Sequence, residues 1–168
     1  MLRLYYTVCE KNDGPAAARA LLAAAWRELR GGPMPPVART GSGKPYFPGD
    51  PIFFSPTHTD GLAACAVSSA PVGADAERLR PRRPGLAARV CAPDELRWLA
   101  AQADRDEALL ALWTRKEAWA KYTGLGMVGN FRLVRPPDAG IDAATLRLRG
   151  CVVTVCSPLF EKIALVEK

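Results

Sequence analysis

Apolar and polar positions follow two periods along this chain, and each change of period marks an element. Residues 2–9 are aromatic and aliphatic enough to predict a strand. Asn12-Asp13-Gly14-Pro15 breaks it and opens a helix over residues 16–29, where apolar side chains recur at helical spacing until Gly31-Gly32-Pro33. Residues 35–50 read as loop, punctuated by Gly41, Gly43, Pro45 and Pro48, with a short strand at 45–47. A strand begins at Ile52-Phe53-Phe54-Ser55, a polar interruption follows over 56–60, and residues 62–68 are small and apolar like a buried strand. Ser69-Ala70-Pro71 then turns the chain into a short strand, 72–77, that ends acidic; these two strands predict a hairpin.

The second half is patterned differently. Residues 81–84 read as a join. Helices are predicted at 86–90, 93–102 and 106–122, the second opened by Pro93 with acidic residues behind it, the third stopped by Gly124 and Gly126. Residues 131–134, 145–157 and 162–167 predict strands of a closing antiparallel sheet. Strand, helix and strands, then helices and strands, define an α+β chain.

Composition narrows the function classes. At 168 residues the chain suits one compact unit, or two small halves sharing a core. Its net charge of +6 admits nucleic acid, anionic lipid or an acidic partner. No basic run interleaved with aromatics is present, so nucleic acid is not expected. No apolar run reaches the length of a membrane helix, and the first residues do not read as a signal peptide. The five cysteines are odd in number and lack C-x-x-C spacing, which fits a reducing compartment; the expected location is the cytoplasm.

Candidate chemistry lies in four places. Asp75 and Glu77 are two apart on a predicted strand and share a face. Two such carboxylates suit a hard cation, or simply a strand end in solvent. Glu117 and Lys121 share a helix face one turn apart, as a site wall or a surface ion pair. His58 is the one histidine, in a polar turn; without a second, zinc is not expected. Gly41-Ser42-Gly43-Lys44-Pro45 lacks P-loop spacing but offers a lysine and backbone N–H groups to a phosphate.

Taken in order, these signals resemble the 4′-phosphopantetheinyl transferase superfamily, in its pseudo-dimeric type that activates surfactin synthetase. The matching residues are Gly43-Lys44-Pro45, Thr57-His58, Gly73-Ala74-Asp75-Ala76-Glu77, and Trp113-Thr114-Arg115-Lys116-Glu117-Ala118-Trp119-Ala120-Lys121, with Gly124-Leu125-Gly126 behind them. The resemblance implies two similar α+β halves, residues 1–82 and 83–168, with a cleft between them and a monomeric chain. It implies that Asp75, Glu77 and Glu117 hold Mg²⁺ (or Mn²⁺), and that Lys44, Pro45, Thr57, His58 and Arg19 contact coenzyme A. It further implies that Glu117 and Lys121 are catalytic in moving phosphopantetheine to a serine of an acyl or peptidyl carrier protein. A relative that binds coenzyme A or a carrier without transfer is the alternative; it predicts loss of a metal ligand or of the lysine, and all four residues are present.

Overall fold

The computed structural model describes residues 1–81, 85–125, 130–136, 143–160 and 163–168. Most of the expected join at 81–84, and Gly126, lie outside these residues.

Strand β1 (Leu2–Thr7) leads into helix α1 (Gly14–Arg30). Pro15 sits in its first turn, where a missing N–H costs nothing, and Gly31 ends it at φ 70°. Ala18, Leu21, Leu22 and Ala25, spaced three or four apart, form its buried stripe. Strands β2 (Ala38–Arg39) and β3 (Pro45–Tyr46) pair as a small ribbon whose loop carries Lys44. Strands β4 (Phe53–Thr59), β5 (Leu62–Ser68) and β6 (Gly73–Arg78) follow. Helices α2 (Leu86–Val90), α3 (Pro93–Ala100) and α4 (Arg105–Thr123) come next, then a 3₁₀ turn at Phe131–Leu133. The described chain closes with β7 (Ala143–Leu148), β8 (Cys151–Cys156) and β9 (Ile163–Glu167).

Two larger sheets result. One has the order β4-β5-β1-β9, the other β6-β8-β7. Every pairing is antiparallel except β1 with β9. Each sheet therefore draws strands from both sides of residue 82. The class is α+β.

The sheets pack face to face, with α1 outside the first and α4 outside the second. Strand β5 shows why its sequence has no alternation: both of its faces are buried. Leu62, Ala64 and Ala66 join Leu2, Leu4, Val72, Ala74, Ala76, Val153 and Val155 between the sheets. Ala63, Cys65 and Val67 join Tyr5, Leu21 and Leu22 under α1. No helix among the described residues is long and apolar enough to cross a membrane.

Several expectations are corrected. Residues 62–68 and 72–77 do not form a hairpin: β5 pairs with β4 and β1, while β6 pairs with β8. The short loop between them carries the chain from one sheet to the other. The polar stretch 56–60 is no interruption, because residues up to Thr59 continue β4. Its polar side chains have partners: Ser55 Oγ, Thr57 Oγ1 and Thr59 Oγ1 accept the N–H groups of Ala74, Ala76 and Arg78 at 2.9, 3.1 and 3.1 Å. Alternate hydroxyls of one strand thus satisfy alternate donors of another across the sheet boundary. Pro56 is tolerated because β4 is an edge strand. Residues 131–133 form a 3₁₀ turn rather than a strand, and β9 joins the first sheet parallel to β1 instead of closing an antiparallel one. That pairing depends on contacts more than 150 residues apart, which local pattern does not encode.

Candidate functional site

Strand β6 and helix α4 build the site by lying unusually close together. Gly73 faces the helix, and a Cβ there would collide with the Ala118 carbonyl and the Tyr122 backbone nitrogen. Ala74 and Ala76 point into the inter-sheet core. Asp75 and Glu77, on the other face of the strand, therefore meet α4. The helix is fixed at its start by Asp104, whose side chain accepts from Asp106 N and Glu107 N, and at its end by Gly124 in the left-handed conformation. Thr114 bonds Thr154 of β8 at 2.8 Å, hydroxyl to hydroxyl, which fixes its rotation over the sheet.

Lys121 reaches down from α4 to Asp75. Its Nζ donates to Asp75 Oδ1 at 2.6 Å and to the Ala74 carbonyl at 3.0 Å. Thr57 Oγ1 donates to the same Oδ1 at 3.3 Å. Asp75 Oδ2 is buried and has no hydrogen-bond partner among the described residues. Glu77 Oε1 accepts from the indole of Trp113 at 3.3 Å, and Trp113 packs on Phe131 with ring centroids 4.8 Å apart.

The electrostatics describe an acidic cluster short of positive charge. Burial pushes the Asp75 carboxyl upward, against Lys121 and the Thr57 hydroxyl. Glu77 is raised by burial and by the charge of Asp75, with the Trp113 donor opposing. Glu117 is raised to about 7 by burial and by Asp75; Lys121 pulls it down and Glu77 pushes it further up. A cation among these groups would relieve both the repulsion and the unpartnered oxygen. Among the described residues, no three Asp, Glu, His or Cys side chains form a ready-made cage. Mg²⁺ does not require one, since it keeps waters and takes substrate phosphates beside one or two carboxylates. The donor set fits such an ion.

Beside this cluster opens a cavity of about 630 Å³, lined by Lys44, Pro45, Ser55, Pro56, Glu117, Lys121 and Phe131, among others. That volume suits a small molecule. Lys44 reaches its wall from the loop between β2 and β3. Its Nζ donates to the Tyr122 carbonyl at 2.6 Å and lies 5.8 Å from the Tyr122 ring centroid. Burial lowers its pKa. Arg39 and Ser42 line the same wall.

The sequence-derived residues are thus only partly gathered. Lys44, Pro45, Glu117 and Lys121 line one cavity, with Asp75 and Glu77 interacting with Glu117. Thr57 is buried behind Asp75 and does not line it. His58 is exposed near the end of β4, packed against Gly14 at the start of α1: a Cβ on Gly14 would stand 2.8 Å from His58 Nδ1. Arg19 is exposed on α1. Neither His58 nor Arg19 lines this cavity.

One residue within the motif had not been singled out. Lys116 is fully buried, and its Nζ donates to the Val90 carbonyl, Glu95 Oε2 and the Phe131 carbonyl at 2.8, 2.7 and 2.9 Å. It ties α4 to α2, α3 and the wall of the cavity. The signal was present: Lys116 continues the stripe of Leu109, Leu112 and Trp113 that packs against Val90 and Leu99.

Comparison with known proteins matches the sequence to one family. The model of the 4′-phosphopantetheinyl transferase superfamily matches residues 71–160, which run from the start of β6 past β8. The chain belongs to that superfamily. It is 40% identical over 111 residues to the 4′-phosphopantetheinyl transferase psf-1 of Bacillus pumilus, covering 64% of this chain and 48% of that protein. It is 36% identical over 134 residues to the 4′-phosphopantetheinyl transferase Svp of Streptomyces mobaraensis, covering 73% and 53%. A 4′-phosphopantetheinyl transferase of Bacillus subtilis is 34% identical over 88 residues, covering 51% and 39%. The chain spans about half the length of these relatives, or less.

Proposed function

We propose that this chain transfers the 4′-phosphopantetheine arm of coenzyme A to a serine hydroxyl of an apo-carrier protein, giving holo-carrier and 3′,5′-ADP. One observation carries the reading. Asp75 keeps a buried, unpartnered carboxylate oxygen and pairs with Lys121, while Glu77 and Glu117 interact electrostatically with it and Glu117 and Lys121 line the adjacent small-molecule cavity.

Asp75 through Oδ2, with Glu77 and Glu117, would hold a divalent cation, Mg²⁺ in the first instance. Such an ion, when bound, offsets negative charge on the coenzyme A pyrophosphate. The serine oxygen attacks the β-phosphorus, and the bond from that phosphorus to the bridging oxygen of 3′,5′-ADP breaks. Glu117 takes the serine proton; its rise to about 7 describes the site without a cation, which would draw it back down. Lys121 leaves Asp75 to stabilise the departing phosphate. Lys44, desolvated in the cavity wall, offers a cation to a coenzyme A phosphate, and Pro45 shapes the wall beside it. His58 would contact a coenzyme A phosphate and Arg19 the nucleotide end, both from outside the cavity.

The two sheets, joined along β4 and β6, support a reading as two α+β halves of a pseudo-dimer with coenzyme A between them. We expect a cytoplasmic monomer, and acyl or peptidyl carriers as partners. The +6 charge favours encounter with polyanionic coenzyme A and an acidic carrier.

The test is direct. The purified chain, coenzyme A and Mg²⁺ are incubated with several apo-carriers, and the carriers are weighed by mass spectrometry. A gain of one phosphopantetheine, lost with EDTA and in Glu117→Gln, is the expected result. Coenzyme A binding without gain on any carrier would favour a non-catalytic relative.

A further inference from the structure

Thr57 was expected, from the resemblance, to face coenzyme A. Its side chain is occupied elsewhere. The residue is 5% exposed, between the two sheets, and absent from the cavity wall that its neighbours Ser55 and Pro56 line. Its hydroxyl accepts the Ala76 N–H at 3.1 Å and donates to Asp75 Oδ1 at 3.3 Å. A hydroxyl has one proton to give, and this one goes to the carboxylate.

We propose that Thr57 is a positioning residue for the cation site, setting the plane of the Asp75 carboxylate so that its unpartnered oxygen faces the ion. The inference rests on the divalent-cation reading above. Oδ1 takes two donors, Thr57 Oγ1 and Lys121 Nζ, while Oδ2 has no hydrogen-bond partner among the described residues; the Ala76 N–H also helps hold the carboxylate charged. A half-turn would only exchange two equivalent oxygens, but tilting the carboxylate out of its present plane would break both bonds. Lys121 is shared with the chemistry and must be free to move. Thr57 is not: its oxygen is anchored to the backbone of β6 by the Ala76 N–H, one residue beyond Asp75. The same bond that staples β4 to β6 thus aims the hydroxyl proton at the carboxylate. Outer partners of this kind orient metal-binding carboxylates and tune their affinity.

Thr59 supplies the control. It staples β4 to β6 through the Arg78 N–H at 3.1 Å, the same kind of bond, with no hydrogen bond to a carboxylate of the site among the described residues. The experiment is a titration of the full chain with Mn²⁺ in the presence of coenzyme A, reading free Mn²⁺ by electron paramagnetic resonance, with melting temperatures recorded for every variant. Thr57→Val should weaken Mn²⁺ binding about tenfold or more. Thr57→Ser should bind like the parent, and so should Thr59→Val. If Thr57→Val does not fold, Thr57→Ala carries the same comparison. Equal affinity in the Thr57 and Thr59 variants would overturn the inference while leaving the cation site standing. A parent chain that binds no Mn²⁺ would overturn the cation reading itself.

Discussion

The Nζ of Lys121 lies 2.6 Å from Oδ1 of Asp75, so the site's lysine neutralises one of its carboxylates across the interface of β6 and α4. Asp75 is nearly buried and Lys121 about one third exposed, so the pair is intermediate between a surface bridge and a core one. Lys121→Met alone strands the carboxylate and should cost about 1–2 kcal/mol of stability. Lys121→Met combined with Asp75→Asn should cost less than the sum of the two single changes. Urea unfolding of the four proteins measures the coupling; strict additivity would show that the pair does not interact in solution.

Glu117 links stability to pH. Its carboxyl is raised from 4.5 to about 7 in the folded chain. Between those values the folded protein holds a proton that the unfolded chain has released, so stability falls as pH rises through this window. Below 4.5 the contribution is fully present; above about 7 it is gone. The raised Asp75 and Glu77 act in the same direction. Without metal, Glu117→Gln should match the parent at low pH and gain in melting temperature relative to it above neutrality. Parallel pH profiles would refute the assignment. Cation affinity should rise over the same window, as the proton leaves.

Gly73 sets the distance between β6 and α4. Gly73→Ala places a methyl group against the helix backbone at Ala118 and Tyr122, which cannot yield as a side chain tip can. Overpacking of this kind costs about 1–3 kcal/mol, and more where backbone must move. It should also separate Lys121 and Glu117 from Asp75. Reduced melting temperature together with weaker Mn²⁺ binding is expected; unchanged Mn²⁺ affinity would mean that the helix position does not govern the site.

Lys116 is predicted to matter through structure. Lys116→Met keeps the length of the stem but leaves Glu95 without its lysine and strips the Val90 and Phe131 carbonyls of a donor. Removing one member of a buried pair costs about 3–5 kcal/mol when the other is left uncompensated, and because Glu95 keeps Arg135 at 3.4 Å and the Ala92 N–H, the lower end is expected. Thermal unfolding checks this. A loss below about 1 kcal/mol would indicate that water replaces the ammonium.

Much of the fold was legible because its signals are local. Pro15 and Gly31 bracket α1, and Gly124 ends α4; each acts through its own backbone dihedrals. The stretch 56–60, with Thr57 and Thr59, read as an interruption because polar alternation is ambiguous until its partner is known. The partner is the N–H edge of β6, which belongs to the other sheet. The hairpin expected across Ser69-Ala70-Pro71 failed for the same reason: adjacent strands can pair or part, and burial on both faces of β5 made parting favourable.

By itself the sequence determined the α+β class and the helix limits, since residue type and spacing carry them, and through resemblance to a known family it singled out Lys44, Asp75, Glu77, Glu117 and Lys121. Tertiary structure alone decided that Thr57 is spent on Asp75, that Lys116 is a buried tie, and that Gly73 is the point where strand and helix touch. Those outcomes depend on which atoms meet across elements distant in the chain. Such meetings are set by packing of the whole core, and no local pattern of residues encodes them.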